Sequence, residues 1–211
     1  LPPLRASADM CGRVTAEAAA LTGIPAGTPV CGGMFDIDAC AIAMDVSTED
    51  RLCAVTGTWS INEYISHTPV PSDGTTLNSL FCLPEYYLIE ESSPTSAGNL
   101  SWAVKHFMGE AQWAALQRGE SLYPLADRLV EACDPAGSHA IFLPFLYGSN
   151  EDGVEQAVLA GLRQADDTAD LLRAGFEGVV YSHRTHIDRL RIHNPRLDRL
   201  RLAGGAARSA V

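Results

Sequence analysis

The feature that most constrains this chain is a repeated local order, in which a short apolar run stops at a glycine-rich or polar turn beside a helix-forming stretch. Residues 13–22 are rich in alanine and read as a short helix, with Thr15 as N-cap and Gly23 closing the C-terminus. Residues 24–29 hold two prolines and a glycine and read as a turn. Residues 29–35 then predict a short buried strand, with Asp36 at its carboxyl end and a helix over 38–44. Helix, strand and helix in that order predict an α/β fold.

A second unit starts near Leu52. Residues 52–56 and 59–65 predict a hairpin turning at Gly57-Thr58, and the proline- and glycine-bearing residues 66–80 predict a loop. Strand returns over 81–83 and 86–89, a polar turn covers 92–98, and helices are expected at about 100–108 and 122–133. Residues 140–146 predict a buried strand that meets Gly148-Ser149-Asn150. From Thr168 onward, Leu171, Leu172, Phe176, Val179, Val180, Ile187 and Leu190 recur at three- and four-residue steps, the mark of one helical face, until Pro195. Leu197, Leu200 and Leu202 alternate with charged residues as a strand entering Gly204-Gly205.

Composition narrows the function classes. With 46% hydrophobic and 19% charged residues, the chain is neither a disordered tail nor a membrane bundle, and no apolar run approaches the ~18 residues of a spanning helix. A formal charge of −11, with Lys105 the lone lysine, opposes nucleic acid and anionic lipid. The arginines at 189, 191, 196, 199 and 201 read as a solvated face. The six cysteines are widely spaced with no C-x-x-C pair, which excludes a disulfide scaffold or zinc knuckle; most are expected to be buried thiols in a reducing cytoplasm. The chain opens on Leu1 rather than methionine and stops as a helix-friendly run begins, so it reads as a segment of a longer protein.

Each candidate site lies where a strand ends, the edge at which open α/β sheets bind ligands. Asp36 reads as a helix N-cap or as a general base taking a proton from a substrate hydroxyl, with Asp38 an equal competitor. Gly57-Thr58 is a plain hairpin turn or a cradle that wraps a terminal phosphate with two amides and a hydroxyl. Gly204-Gly205 is a plain turn or a place where a nucleotide base or sugar approaches the backbone. His183, His186 and His193 share a similar helical face and read as a half-buried or surface cluster, or as two metal ligands. Trp59, Trp102 and Trp113 read as packing residues, with Trp59 also able to wall a ligand cleft.

Taken in order, these segments resemble the FGGY family of carbohydrate kinases. Residues 13–36 resemble the stretch that ends in that family's catalytic aspartate, and Leu52-Cys53-Ala54-Val55-Thr56-Gly57-Thr58-Trp59-Ser60-Ile61 resembles its S-x-G-T-S phosphate segment. Residues 157–162 with 170–178 resemble its second sequence signature, although Gly175 stands where a residue with a Cβ is usual. Residues 202–209 resemble the G-G-G-A-x-S adenosine loop. Spellings such as Met34-Phe35-Asp36 and Gly57-Thr58-Trp59 lean towards the L-xylulose kinase branch.

The resemblance implies a ribonuclease H-like, actin-like ATPase fold. Residues 1–48 would close a first domain carrying the catalytic aspartate, and residues 49–211 would form most of a nucleotide-binding second domain. It further implies transfer from Mg-ATP (ATP and Mg2+) to the 5-hydroxyl of a ketopentose such as L-xylulose, with Asp36 catalytic and with Asp36, Phe35 and Trp59 against the sugar. Gly57, Thr58, Ala97, Gly98, Gly204, Gly205 and Ser209 would hold ATP. A cytoplasmic enzyme and a homodimer fit the same reading. The amide or other polar group that often follows the family's aspartate is replaced by Ile37, so a sugar contact is missing or supplied elsewhere. Two other readings stand beside this one: a non-catalytic nucleotide- or sugar-binding domain, and a histidine metal site.

Overall fold

The expected hairpin forms the middle of the main sheet. In the computed structural model, which describes residues 3–72, 74–137, 139–151, 154–209 and 211, β3 (Arg51–Thr56) pairs antiparallel with β4 (Ser60–Ser66). The chain reaches it through β1 (Met10–Arg13), α1 (Ala16–Thr22), β2 (Pro29–Cys31) and α2 (Asp36–Ala43). Thr15 caps α1 by accepting from the Ala18 amide, and Gly23 ends it in the left-handed conformation.

The sheet continues through β5 (Thr76–Leu80) and β6 (Tyr87–Ser93), which pair antiparallel with each other, β6 also lying against β4. Helices α3 (Ala97–Phe107), α4 (Gly109–Gln117) and α5 (Tyr123–Ala132) follow. A separate small hairpin joins β7 (Ile141–Leu143) to β8 (Val158–Ala160), and α6 (Thr168–His193) crosses the molecule. Finally β9 (Arg199–Gly204) returns parallel to β3, giving the order β5-β6-β4-β3-β9, before a short 3-10 turn, Gly205–Arg208.

Alternation along the strands gives the sheet two apolar faces. Cys53, Ile65 and Leu88 pack under Ala41 of α2, joined by Ile37, Val55 and Ala203. Leu52, Ala54, Tyr64 and Ile89 pack under Leu190 and Ile187 of α6. The other end of α6 lies against α3 and α5 around Leu172, Val104 and Val130, and against the small hairpin around Ala174 and Phe142. A capping box starts α6, with Asp167 accepting from the Ala169 and Asp170 amides.

Gly178 is where α6 touches β7: a Cβ there would run into the Phe142 carbonyl. Gly175 has the same kind of cause. A Cβ would stand 3.1 Å from that of Ala103, so its departure from the family pattern matches close packing of α6 on α3.

Several expectations need correction. The strand at 29–35 is shorter and exposed along its length, pairing with the unforeseen β1. A brief apolar run shows an extended segment but not whether a second layer covers it. Residues 76–80 were expected in a loop and form β5, whose polar residues suit an edge strand. Residues 81–83 are not strand; the Phe81 amide bonds the Tyr86 carbonyl at 3.0 Å and closes a turn that keeps Phe81 in the core. Helix α4 was missed. In β7 only Phe142 faces inward, and Val180 lies off the buried stripe of α6. Cys53 alone of the six cysteines is buried, and Trp113 is exposed.

Candidate functional site

The parallel pair β3 and β9 ends side by side, Thr56 opposite Gly204, and the glycine turns collect at that edge. The Thr56 hydroxyl donates to the Ala203 carbonyl at 2.9 Å, tying the two strand ends together. Gly204 has φ +92°, and a Cβ there would stand 2.5 Å from the Thr56 carbonyl oxygen, so the approach needs glycine twice over. Gly57, Thr58 and Trp59 span the turn from β3 to β4, and the Ala97 amide at the start of α3 donates to the Gly57 carbonyl at 2.9 Å. A Cβ on Gly98 would lie 3.5 Å from the Thr58 carbonyl oxygen and 3.3 Å from the Tyr147 ring. A Cβ on Gly205 would meet nothing within 4 Å, which leaves that backbone open to approach.

Gly57, Thr58, Ala97, Gly98 and Gly204 are therefore brought into one cradle at the carboxyl ends of β3 and β9, with Gly205 beside it. Ser209 lies past the 3-10 turn, where its hydroxyl donates to Asp127 of α5 at 3.0 Å. The N-terminus of α3 has no side-chain cap and faces the 57–59 turn, so its partial positive charge is directed there.

Asp36 is the first residue of α2, is exposed, and accepts from the Ile37 amide at 3.0 Å. The N-cap position itself belongs to Phe35. Phe35 is 65% exposed and Trp59 51%, so neither is a packing residue among the described residues. Ile37 turns the other way and joins the apolar cluster that Val55 and Ala203 also join, one residue before their strands end. The hydrophobic residue after Asp36 thus anchors α2 to the strands that carry the cradle.

Asp38, the competitor, is buried, and burial raises its carboxyl above the usual range while the Cys82 amide works against that rise. A carboxylate closed off in this way is a poor acceptor for a solvent-borne substrate, which leaves Asp36 the accessible one.

Sequence reasoning missed a set of buried polar residues. Glu63 of β4 is fully buried, neither carboxylate oxygen has a hydrogen-bond partner among the described residues, and burial, with Glu90, Asp38 and Asp36 nearby, pushes it up to about 8. On the opposite face, Ser60, Asn62, Glu91, Ser93, Ser96 and Asn99 are buried beneath α6 and α3. His186 lies 2.9 Å from Glu91 and 2.7 Å from the Ser93 hydroxyl. Burial pushes Glu91 up, but bonds from His186, Thr75 and Thr76 outweigh it and hold this carboxyl below its ordinary value. The available signal was the run of polar residues at inward-facing positions of β4 and β6.

Of the three histidines, His193 is half-buried as expected, but His183 and His186 are buried, with their ring nitrogens engaged by serines, Asn62 and Glu91. Among the described residues no group of three histidines, cysteines or carboxylates is placed to hold a metal ion. Nor, among them, is any helix long and apolar enough to cross a membrane.

A mixed sheet with helices on both faces, and glycine turns gathered where two parallel strands end, defines a domain of the actin-like ATPase class. The chain belongs to the FGGY family of carbohydrate kinases, residues 52–211 matching that family's C-terminal domain. It is 39% identical, over its whole length, to the L-xylulose/3-keto-L-gulonate kinase of Escherichia coli K12, of which it covers 40%. It is 36% identical, again over its whole length, to a probable L-xylulose kinase of Pasteurella multocida, covering 41% of that protein. Among solved structures, a xylulose kinase from Rhodospirillum rubrum superposes with a TM-score of 0.81 at 26% identity, covering all of this chain and 41% of the other. The chain thus spans about two fifths of the length of these relatives.

Proposed function

We propose that the protein is an ATP-dependent sugar kinase that phosphorylates a primary hydroxyl of an open-chain ketopentose such as L-xylulose, giving the 5-phosphate. The observation that carries this reading is the convergence of two glycine turns, at Gly57 and Gly204-Gly205, with the start of α3 at the ends of β3 and β9, next to α2, which presents the exposed carboxylate of Asp36. In this reading residues 1–48 close the sugar-side domain and residues 49–211 form most of the nucleotide domain of a cytoplasmic enzyme.

Mg-ATP is the co-substrate. The amides of Gly57 and Thr58, the Thr58 hydroxyl and the N-terminus of α3 hold the phosphates, while Gly204, Gly205 and Ser209 border the adenosine. Asp36 accepts the proton of the sugar hydroxyl as its oxygen bonds to the γ-phosphorus and the bond to the ADP oxygen breaks. The transferred group needs little covalent help, so the protein's contribution is alignment and charge stabilisation. The exposed rings of Phe35 and Trp59 supply flat apolar walls for the sugar.

The test is Asp36→Asn in the full-length protein, assayed for ADP release with L-xylulose, D-xylulose, ribuloses and glycerol. Loss of a general base is expected to lower kcat by about 10²–10⁴-fold while nucleotide affinity stays near that of the parent. Turnover close to the parent would remove Asp36 from the mechanism.

A further inference from the structure

Two walls of the cradle are fastened to the same imidazole. His183, on α6, has its Nδ1 3.0 Å from both the Ser60 hydroxyl and Asn62 Oδ1, and its Nε2 3.1 Å from the Ser96 hydroxyl. All four residues are buried, and Ser60, Asn62 and Ser96 are fully so. Asn62 Nδ2 donates to Ser60 Oγ at 3.1 Å and to the Glu91 carbonyl at 3.4 Å, which fixes its Oδ1 towards the ring. An acceptor there requires the proton on Nδ1, so Nε2 is the acceptor and the Ser96 hydroxyl donates to it. Burial, with His186 nearby, pushes this imidazole down to about 4, consistent with a neutral ring of one fixed tautomer.

The sequence positions of its partners give the contact its meaning. Ser60 is the first residue of β4, at the exit of the 57–59 turn, and Ser96 immediately precedes Ala97, whose amide bonds Gly57. The turn and the start of α3 come from different elements, and α6 lies outside the cradle.

We propose that His183 is a positioning residue for the nucleotide: it sets the separation between the 57–59 turn and the N-terminus of α3 so that both engage one phosphate chain. This rests on the kinase reading above. His183 itself touches no reacting atom; it acts through Ser60 and Ser96.

The two ring nitrogens allow the role to be dissected in the full-length enzyme. His183→Asn keeps an amide near the Nδ1 position and drops the bond to Ser96, whereas His183→Gln places a carbonyl oxygen near Nε2 and restores it. Ser96→Ala removes the same bond from the other end. His183→Asn and Ser96→Ala are each expected to raise KM for ATP roughly 10-fold, the worth of one buried hydrogen bond, with KM for the sugar unchanged. The double variant should match the His183→Asn single, and His183→Gln, which keeps the Ser96 end but gives up Ser60 and Asn62, should raise KM for ATP as well. Leu190→Ala, fully buried two turns along α6, is the control: it lowers Tm and leaves KM for ATP where it was.

Equal rises in both KM values, the same ATP shift in Leu190→Ala, or parental ATP binding in His183→Asn would overturn the inference and leave the kinase reading standing. A parent enzyme that neither binds nor consumes ATP would overturn both. Should His183→Asn fail to fold, Ser96→Ala reports the same bond, and an unchanged KM for ATP there overturns the proposal.

Discussion

Two buried side chains, Glu63 and His183, are shifted in opposite senses. Glu63 is pushed up to about 8, so the folded protein keeps a proton that the unfolded chain gives up near its ordinary value. Stability from this group is full below about pH 4.5 and is lost as pH rises through about 8. His183 is pushed down to about 4, so the unfolded imidazole takes up a proton that the folded one refuses, and stability falls as pH drops from 6.5 towards 4. The two trends oppose each other below pH 6.5, and above it only that of Glu63 remains. Glu63→Gln is therefore expected to be more stable than its parent at pH 8, by on the order of 3 kcal/mol, with the difference shrinking as pH falls. Calorimetric Tm against pH measures it; parallel curves for the two proteins would show that Glu63 titrates as an exposed carboxylate does. Ile37 and Gly175, the two departures from the family pattern, both have packing reasons, the first in the core under α2 and the second against Ala103.

Among the elements, α6 bears the most and is the most sensitive. Gly178→Ala would drive a methyl into the Phe142 carbonyl and is expected to cost about 1–3 kcal/mol, read as a lower urea midpoint at constant slope. Asp167→Ala removes the cap from the same helix and is expected to cost about 1 kcal/mol, read the same way. This helix was legible in the sequence because its caps and its 3.6-residue stripe are local signals, and the β3–β4 hairpin was legible from two runs with a glycine between them. The strand β5 was not, because an edge strand holds its place by pairing with β6 rather than by hydrophobicity. The burial of β2 was misjudged because burial depends on a neighbouring layer that one short run does not encode. The glycine turns were visible one by one, but their meeting was not. Gly57 and Gly204 become neighbours only through the parallel pairing of β3 with β9. The Ser60–His183–Ser96 contact had no sequence signal beyond its residue types, since its partners come from three elements.

At the scale of the whole molecule, the turns proposed to hold the nucleotide are collected by one sheet edge, while Asp36, Phe35 and Trp59 are the only groups proposed for the sugar. If the proposed kinase reading holds, the 211-residue chain assayed by itself is expected to release no ADP above background with Mg-ATP and any of the ketopentoses, and the full-length protein is expected to turn over; a coupled ADP assay on both decides it. The parallel placement of β9 also has a bearing on biosynthesis. About 140 residues must emerge after β3 before its partner exists, roughly 7–30 s at ordinary ribosomal elongation rates. Throughout that interval the nascent hairpin offers a bare backbone flank to any other extended polypeptide. Slow translation and crowded expression hosts should therefore favour tangled product over native protein, and the hazard ends when the last strand docks.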